Sequence, residues 1–166
     1  EYNIPSDATV VFNIGSLTAQ KQATTFAQVM REVTEHLDNT YVVMAGDGPL
    51  RDEVEDHASE YLRVLGYISD NEKWRWFADA DIFASLSTYE GMPVATAEAL
   101  SFDLPVILSD IPSHRHLVES YEPTAELVKG EAVEVSRAIE AVKGNRSDVS
   151  LPNWRDIAER YLSIVS

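Results

Sequence analysis

Tyr41-Val42-Val43-Met44-Ala45, followed at once by Gly46-Asp47-Gly48-Pro49, is the stretch that decides the fold. Five apolar residues in unbroken succession, instead of alternating with polar ones, make a strand covered on both faces. The closing tetrapeptide is a turn, and Pro49 suits the first turn of a helix after it. The same grammar holds upstream. Thr9-Val10-Val11-Phe12-Asn13-Ile14 is an apolar, β-branched run that ends at Gly15. Phe26, Val29, Met30, Val33 and Leu37 then recur at three- and four-residue spacing, which predicts a helix from about Lys21 to Leu37.

Downstream the alternation continues. Helices are expected at Leu50 to Glu60, Asn71 to Ala80, Val94 to Ser101, Ser113 to Glu119, Glu131 to Lys143 and Asn153 to Val165. Strands are expected at Leu62 to Leu65, Asp81 to Leu86, Val106 to Leu108 and Ala125 to Val128. Gly144 to Pro152, polar and broken by Gly, Asn, Ser and Pro, reads as a loop feeding the last helix. Strands and helices taking turns predict an α/β fold: a doubly wound, mostly parallel sheet with helices on both faces. Such sheets bind ligands beyond the carboxyl ends of their strands.

Composition narrows the function. The 166 residues fit one domain, short for an enzyme built on two open sheets. Glu1 opens the chain without an initiator Met, and Ile4-Pro5-Ser6-Asp7 reads as a linker or the approach to a strand, so a fragment starting at an internal boundary is expected. No run reaches the roughly 18 apolar residues of a membrane span, and nothing resembles a signal peptide. A soluble, cytoplasmic protein is expected. The absence of cysteine removes disulfides, thiolate metal sites and cysteine nucleophiles. A net charge of −15 without clustered Lys and Arg argues against a nucleic-acid partner. The acidity reads as a solvated surface, and with Arg outnumbering Lys it suits a salt-rich cytoplasm, where molar salt shortens the Debye length to about 3 Å.

Chemistry concentrates in Tyr89-Glu90-Gly91-Met92-Pro93-Val94-Ala95-Thr96-Ala97-Glu98-Ala99-Leu100, which runs from a strand end into a helix. Gly91 admits close backbone approach to a ligand, Pro93 is preset for the first helical turn, and the free amides at the helix start suit phosphate. At about 1.5 Å per helical residue, Glu90 and Glu98 should lie roughly 10 Å apart. That is too far for an acid/base pair on one bond, yet suited to hydroxyls at opposite ends of an extended ligand with a diphosphate between.

This segment resembles the Glu-x7-Glu motif of retaining GT-B glycosyltransferases of the large family 4 type. Gly15-Ser16-Leu17-Thr18-Ala19-Gln20-Lys21 is similar to that family's Gly-Arg-Leu…Lys phosphate loop. Ala45 to Pro49, Leu65-Gly66-Tyr67-Ile68-Ser69-Asp70, Ala80 to Phe83, Leu104-Pro105-Val106 and Asn153-Trp154 with Ala158 and Tyr161 follow in the family's order. The resemblance implies a Rossmann-like, sugar-nucleotide-binding domain over residues 1–150. Residues 151–166 would form an appended C-terminal helix, and an N-terminal acceptor-binding domain, with any membrane contact, would lie outside this chain.

The resemblance also assigns roles. Glu90 would hold donor-sugar hydroxyls and Lys21 would neutralise the diphosphate leaving group, making these the catalytic pair. Gly15, Ser16, Gly91, Met92, Pro93 and Val94 would face sugar and phosphates. Glu98 would grip the ribose, and the base would lie against Gly66, Tyr67 and Ile68 with Lys73 as a further contact. The substrate would be a nucleoside diphosphate sugar; no metal or other cofactor is expected. Trp74 and Trp76 read as core or interface residues, and His114 and His116 as incidental.

The chain departs from the pattern at four places. Ser16 stands where the family has an Arg beside Lys21, and Gln22, Asp103 and Ser113 stand where it commonly has Gly. Two rivals to the transferase stay open: a non-catalytic nucleotide-sugar-binding subunit, and a sugar-nucleotide epimerase of the same fold.

Overall fold

A computed structural model describes residues 3–121, 124–145, 159 and 162–165. Six strands and six helices alternate along them. They are β1 (Thr9–Ile14), α1 (Ala23–His36), β2 (Thr40–Ala45), α2 (Arg51–Glu55), β3 (Leu62–Gly66), α3 (Asp70–Asp79), β4 (Ile82–Ser85), α4 (Val94–Ser101), β5 (Val106–Ser109), α5 (Pro112–Tyr121), β6 (Ala125–Val128) and α6 (Ala132–Val142). The strands form one sheet in the order β3-β2-β1-β4-β5-β6. Every pairing is parallel.

Side-chain alternation along each strand feeds two cores. Val11, Val42, Met44, Leu62, Ile82 and Ile107 face one way, onto Phe26, Met30 and Val33 of α1, Val54 of α2, and Val135 and Ile139 of α6. Val10, Phe12, Val43, Phe83, Val106 and Leu108 face the other, onto Phe77 of α3, Leu100 of α4 and Leu117 of α5. This is why the strands read as unbroken apolar runs. Each side chain removed from water in this way stabilises the fold by about 1.5–3 kcal/mol. Trp74 and Trp76 pack against the second core: Trp76 stacks on Phe12 at 5.8 Å and Trp74 on Phe102 at 5.9 Å.

Boundaries shift where tertiary contacts overrule local signals. Helix α2 stops at Glu55, well short of Glu60, because the chain must turn to enter β3. Helix α3 starts at a full capping box, with Ser69 and Glu72 each bonding the other's backbone amide. Helix α1 begins two residues later than its periodicity predicts, since Gln22 adopts φ 50°, ψ 39°, the left-handed conformation. Asp103 does the same at φ 54°. Both stand where the family resemblance places glycine, the residue that reaches positive φ without steric cost. The expected helix from Asn153, with Trp154, Ala158 and Tyr161, falls almost wholly outside the described residues.

Topology places the ligand crevice. The chain winds outward from β1 through β2 to β3, then crosses back to β4 on the other side of β1. The β1–β4 ladder pairs only Val11 with Ile82 and Phe12 with Phe83. Beyond it the Asn13 side chain takes over, its Nδ2 donating to the Ala84 carbonyl at 2.8 Å. The strands thus part at the switch point, where an open α/β sheet takes its ligand.

Candidate functional site

Three turns at the carboxyl ends of β1, β2 and β3 are joined backbone to backbone. The Leu17 amide donates to the Asp47 carbonyl at 3.0 Å, Leu50 to Leu17 at 3.1 Å, and Gly46 to Gly66 at 2.7 Å. The approach is so close that a Cβ on Gly46 would lie 1.8 Å from the Gly15 carbonyl oxygen, and Gly46 itself takes φ 134°. No other residue fits there.

A second clasp ties the β1 turn to the β4 turn. The Thr88 amide and hydroxyl both donate to the Gln20 carbonyl, and Gln20 Nε2 donates to the Tyr89 carbonyl. These bonds bring Lys21 to Glu90 across 69 residues of sequence. Lys21 Nζ donates to Glu90 Oε1 at 2.6 Å and Oε2 at 2.8 Å. The Glu90 side chain is 7% exposed and that of Lys21 33%, so the ion pair is screened on one side only.

Glu90 is further fixed by residues that the sequence reading passed over. Ser87 Oγ donates to Glu90 Oε1 at 2.7 Å, and Ser109 Oγ donates to the Ser87 carbonyl at 2.6 Å. His114, fully buried, meets the Ser109 carbonyl through Nδ1 at 2.9 Å, which requires Nδ1 to carry the proton. Its Nε2 is buried with no partner among the described residues. Burial pushes the His114 pKa below its ordinary value; the Ser109 carbonyl and Glu90 oppose that shift and Lys21 adds to it. His114 is therefore a neutral strut behind Glu90, while His116 is exposed. The only signal in the sequence for this chain of contacts is the Ser-x-x-Glu spacing at the end of β4; Ser109 and His114 carry none.

Glu98 lies on α4, largely buried among alanines. Its Oε1 accepts from Lys73 Nζ of α3 at 2.8 Å, across 25 residues. Between Lys73 and Lys21 runs the crevice. Its deeper end is a small cavity lined by Asn13, Gly15, Ser16, Lys21, Glu90 and Pro93, and by the α4 start at Ala95 and Thr96. The Ala95 and Thr96 amides lie in the first helical turn, where no intrahelical carbonyl is available. Its outer end is a groove of about 310 Å³ lined by Gly15, Ser16, Gly46, Asp47, Tyr67, Ile68 and Lys73. Gly15 and Ser16 border both ends.

Of the expected site residues, Gly15, Ser16, Lys21, Glu90, Pro93, Tyr67, Ile68 and Lys73 line this crevice, and Glu98 meets it only through Lys73. Gly91, Met92 and Val94 stand exposed on its rim, and a Cβ on Gly91 would meet nothing within 4 Å. Gly66 lies at the base of the Tyr67 turn, bonded to Gly46. No helix among the described residues is long and apolar enough to cross a membrane.

A glycosyltransferase of Methanocaldococcus jannaschii, itself uncharacterised, is 33% identical over 113 residues, 65% of this chain and 27% of that protein. The alpha-monoglucosyldiacylglycerol synthase of Acholeplasma laidlawii is 27% identical over 110 residues, 63% of this chain and 28% of that protein. The chain thus spans little more than a quarter of the length of these relatives. Among solved structures, Staphylococcus aureus TarM in complex with fondaparinux, alpha-GlcNAc-glycerol and UDP superposes with a TM-score of 0.72 at 17% identity. It covers 98% of this chain and 33% of that one. Sucrose-phosphate synthase from Thermosynechococcus elongatus superposes at 0.71 and 20% identity, covering 98% of this chain and 42% of that one. These likenesses show the Rossmann-like fold of a GT-B half. The family of glycosyl transferases group 1 matches residues 1–156, and the chain belongs to that family.

Proposed function

We propose that this chain is the donor-nucleotide half of a two-domain, retaining glycosyltransferase of the family 4 type, moving a hexosyl group from a nucleoside diphosphate sugar. The observation that carries the reading is the Lys21–Glu90 pair set at the switch-point crevice, one border shared with a groove of about 310 Å³. The base would lie in the groove on Tyr67 and Ile68, and the diphosphate would cross Gly15 and Ser16. Amides of Ala95 and Thr96 would meet a phosphate at the positive end of α4. The sugar would reach Glu90.

In this reading Lys21 changes partner. It is held by Glu90 in the free protein, and the diphosphate competes for its ammonium as negative charge grows on the leaving oxygen. Glu90, relieved of one donor, accepts hydroxyls of the sugar and stays aimed by Ser87. The protein positions and stabilises charge; no side chain is required as a nucleophile. Tyr89, Met92 and Val94, exposed beside the crevice at 65%, 59% and 40%, form an apolar rim that a second, acceptor-binding domain would cover.

Ser16 favours one alternative, a nucleotide-sugar-binding subunit without turnover. With no Arg at that position, Lys21 is the only cationic side chain among the described residues lining the inner cavity, and it already faces a carboxylate. Calorimetric titration with nucleoside diphosphates and their sugars, followed by a transfer assay on the protein with its acceptor domain, separates the two. Binding of the donor with transfer supports the transferase; binding without transfer in the two-domain protein supports the subunit. No binding of any nucleoside diphosphate refutes both.

A further inference from the structure

Lys73 lines the groove, and its ammonium is engaged by groups outside the Tyr67 turn. It lies 2.8 Å from Glu98 Oε1, 3.5 Å from Asp70 Oδ1, and 4.0 Å from the centre of the Trp74 ring. The Trp74 face and the Glu98 carboxylate together hold it in place, and the side chain is only 17% exposed. Glu98 is 12% exposed and receives this single side-chain donor, on one oxygen. Among the described residues no side chain donates to Oε2.

We propose that Lys73 is a positioning residue for Glu98, fixing the plane of its carboxylate so that the remaining lone pairs receive the vicinal diol of a ribose. The proposal rests on the reading that Glu98 accepts ribose hydroxyls. A carboxylate on a flexible two-carbon stem loses rotamer freedom when it binds a diol, and that entropy is lost in advance where a cation already holds one oxygen. A vicinal diol is the group that profits, because both of its hydroxyls donate and they share a carboxylate only in one relative orientation. Lys73 would thereby set selectivity for ribose over deoxyribose, with no need to touch the base.

The test is a titration of the unmodified chain, Lys73→Met, Lys73→Gln and Lys73→Arg with UDP, 2′-deoxy-UDP and ADP. Met keeps the stem against Trp74; Gln serves as a second neutral variant should Met lower the melting temperature. The unmodified chain is expected to prefer UDP over 2′-deoxy-UDP by about tenfold or more, the worth of one charge-assisted hydrogen bond. In the Met and Gln variants that ratio should fall towards one, chiefly through weaker UDP binding, while the UDP-to-ADP ratio holds. Arg, which keeps the cation, should recover part of the ribose preference. An unchanged ribose preference in both neutral variants overturns the role of Lys73 and leaves the nucleotide reading standing. A changed UDP-to-ADP ratio with constant ribose preference also overturns it, making Lys73 a base contact. Failure of the unmodified chain to bind any of the three ligands overturns the nucleotide reading itself, and the proposal with it.

Discussion

Replacing Gln22 by glycine should make this protein more stable, although it removes a side chain and enlarges the freedom of the unfolded chain. Gln22 caps α1 at φ 50°, ψ 39°, and its side chain makes no capping hydrogen bond. A left-handed backbone costs a residue with a Cβ about 1–2 kcal/mol. Glycine escapes that cost but loses more entropy on folding, about 0.5–1 kcal/mol. The mid-range difference predicts a net gain of about 0.75 kcal/mol, which for a chain of this size raises the melting temperature by about 1.5–3 °C. Equilibrium urea unfolding, with an unchanged slope and a raised midpoint, is the assay. Asp103→Gly should gain less, because Asp tolerates φ 54° better than Gln does. Gly46→Ala is the opposing control: its Cβ would lie 1.8 Å from the Gly15 oxygen, so the variant should lose about 3 kcal/mol or more. A Gln22→Gly protein no more stable than the parent would show that the left-handed turn carries no strain, and the account of the family's glycine there would fail.

Gly91→Ala should leave stability within about 0.5 kcal/mol, since a Cβ there meets nothing, while weakening donor binding measured by calorimetry if the ligand needs that space. Glu98→Ala should weaken a nucleoside diphosphate with or without its sugar by about 1.5–3 kcal/mol. Glu90→Gln should spare the free nucleotide and cost affinity only for the intact donor; equal weakening of both ligands would break the assignment. His114 binds its proton more weakly in the folded state than in the unfolded chain. Its contribution is thus fully present above the ordinary histidine value of about 6.5 and is lost as pH falls below it, by up to about 1.4 kcal/mol per pH unit. Unfolding curves at pH 7 and below should therefore show a shallower loss in His114→Asn than in the parent.

Local patterns were enough for the architecture because a doubly wound sheet writes itself into sequence. Residues 41–45 must be apolar on both faces, and the glycine after them must turn the chain, so β2 and its loop are legible without any distant partner. The same holds for β1 and for α4, whose signals are complete within a few residues. The site was legible as a set of residue types at the strand ends, since the carboxyl-end loops are where such sheets bind.

What the sequence could not contain was who pairs with whom. Lys21 meets Glu90 and Lys73 meets Glu98 over separations of 69 and 25 residues, because the β1–β4 neighbourhood and the packing of α3 beside α4 exist only once the sheet has closed. Ser87, Ser109 and His114 became a support for Glu90 for the same reason: their chain of hydrogen bonds runs between β4, β5 and α5. The succession of strands and helices along the chain and the identity of the loops followed from local hydrophobic pattern and turn chemistry, which act over a few residues. The pairing of the two lysines, each held by a carboxylate, was decided by tertiary packing, because a charge takes its partner from whatever the fold sets within about 4 Å.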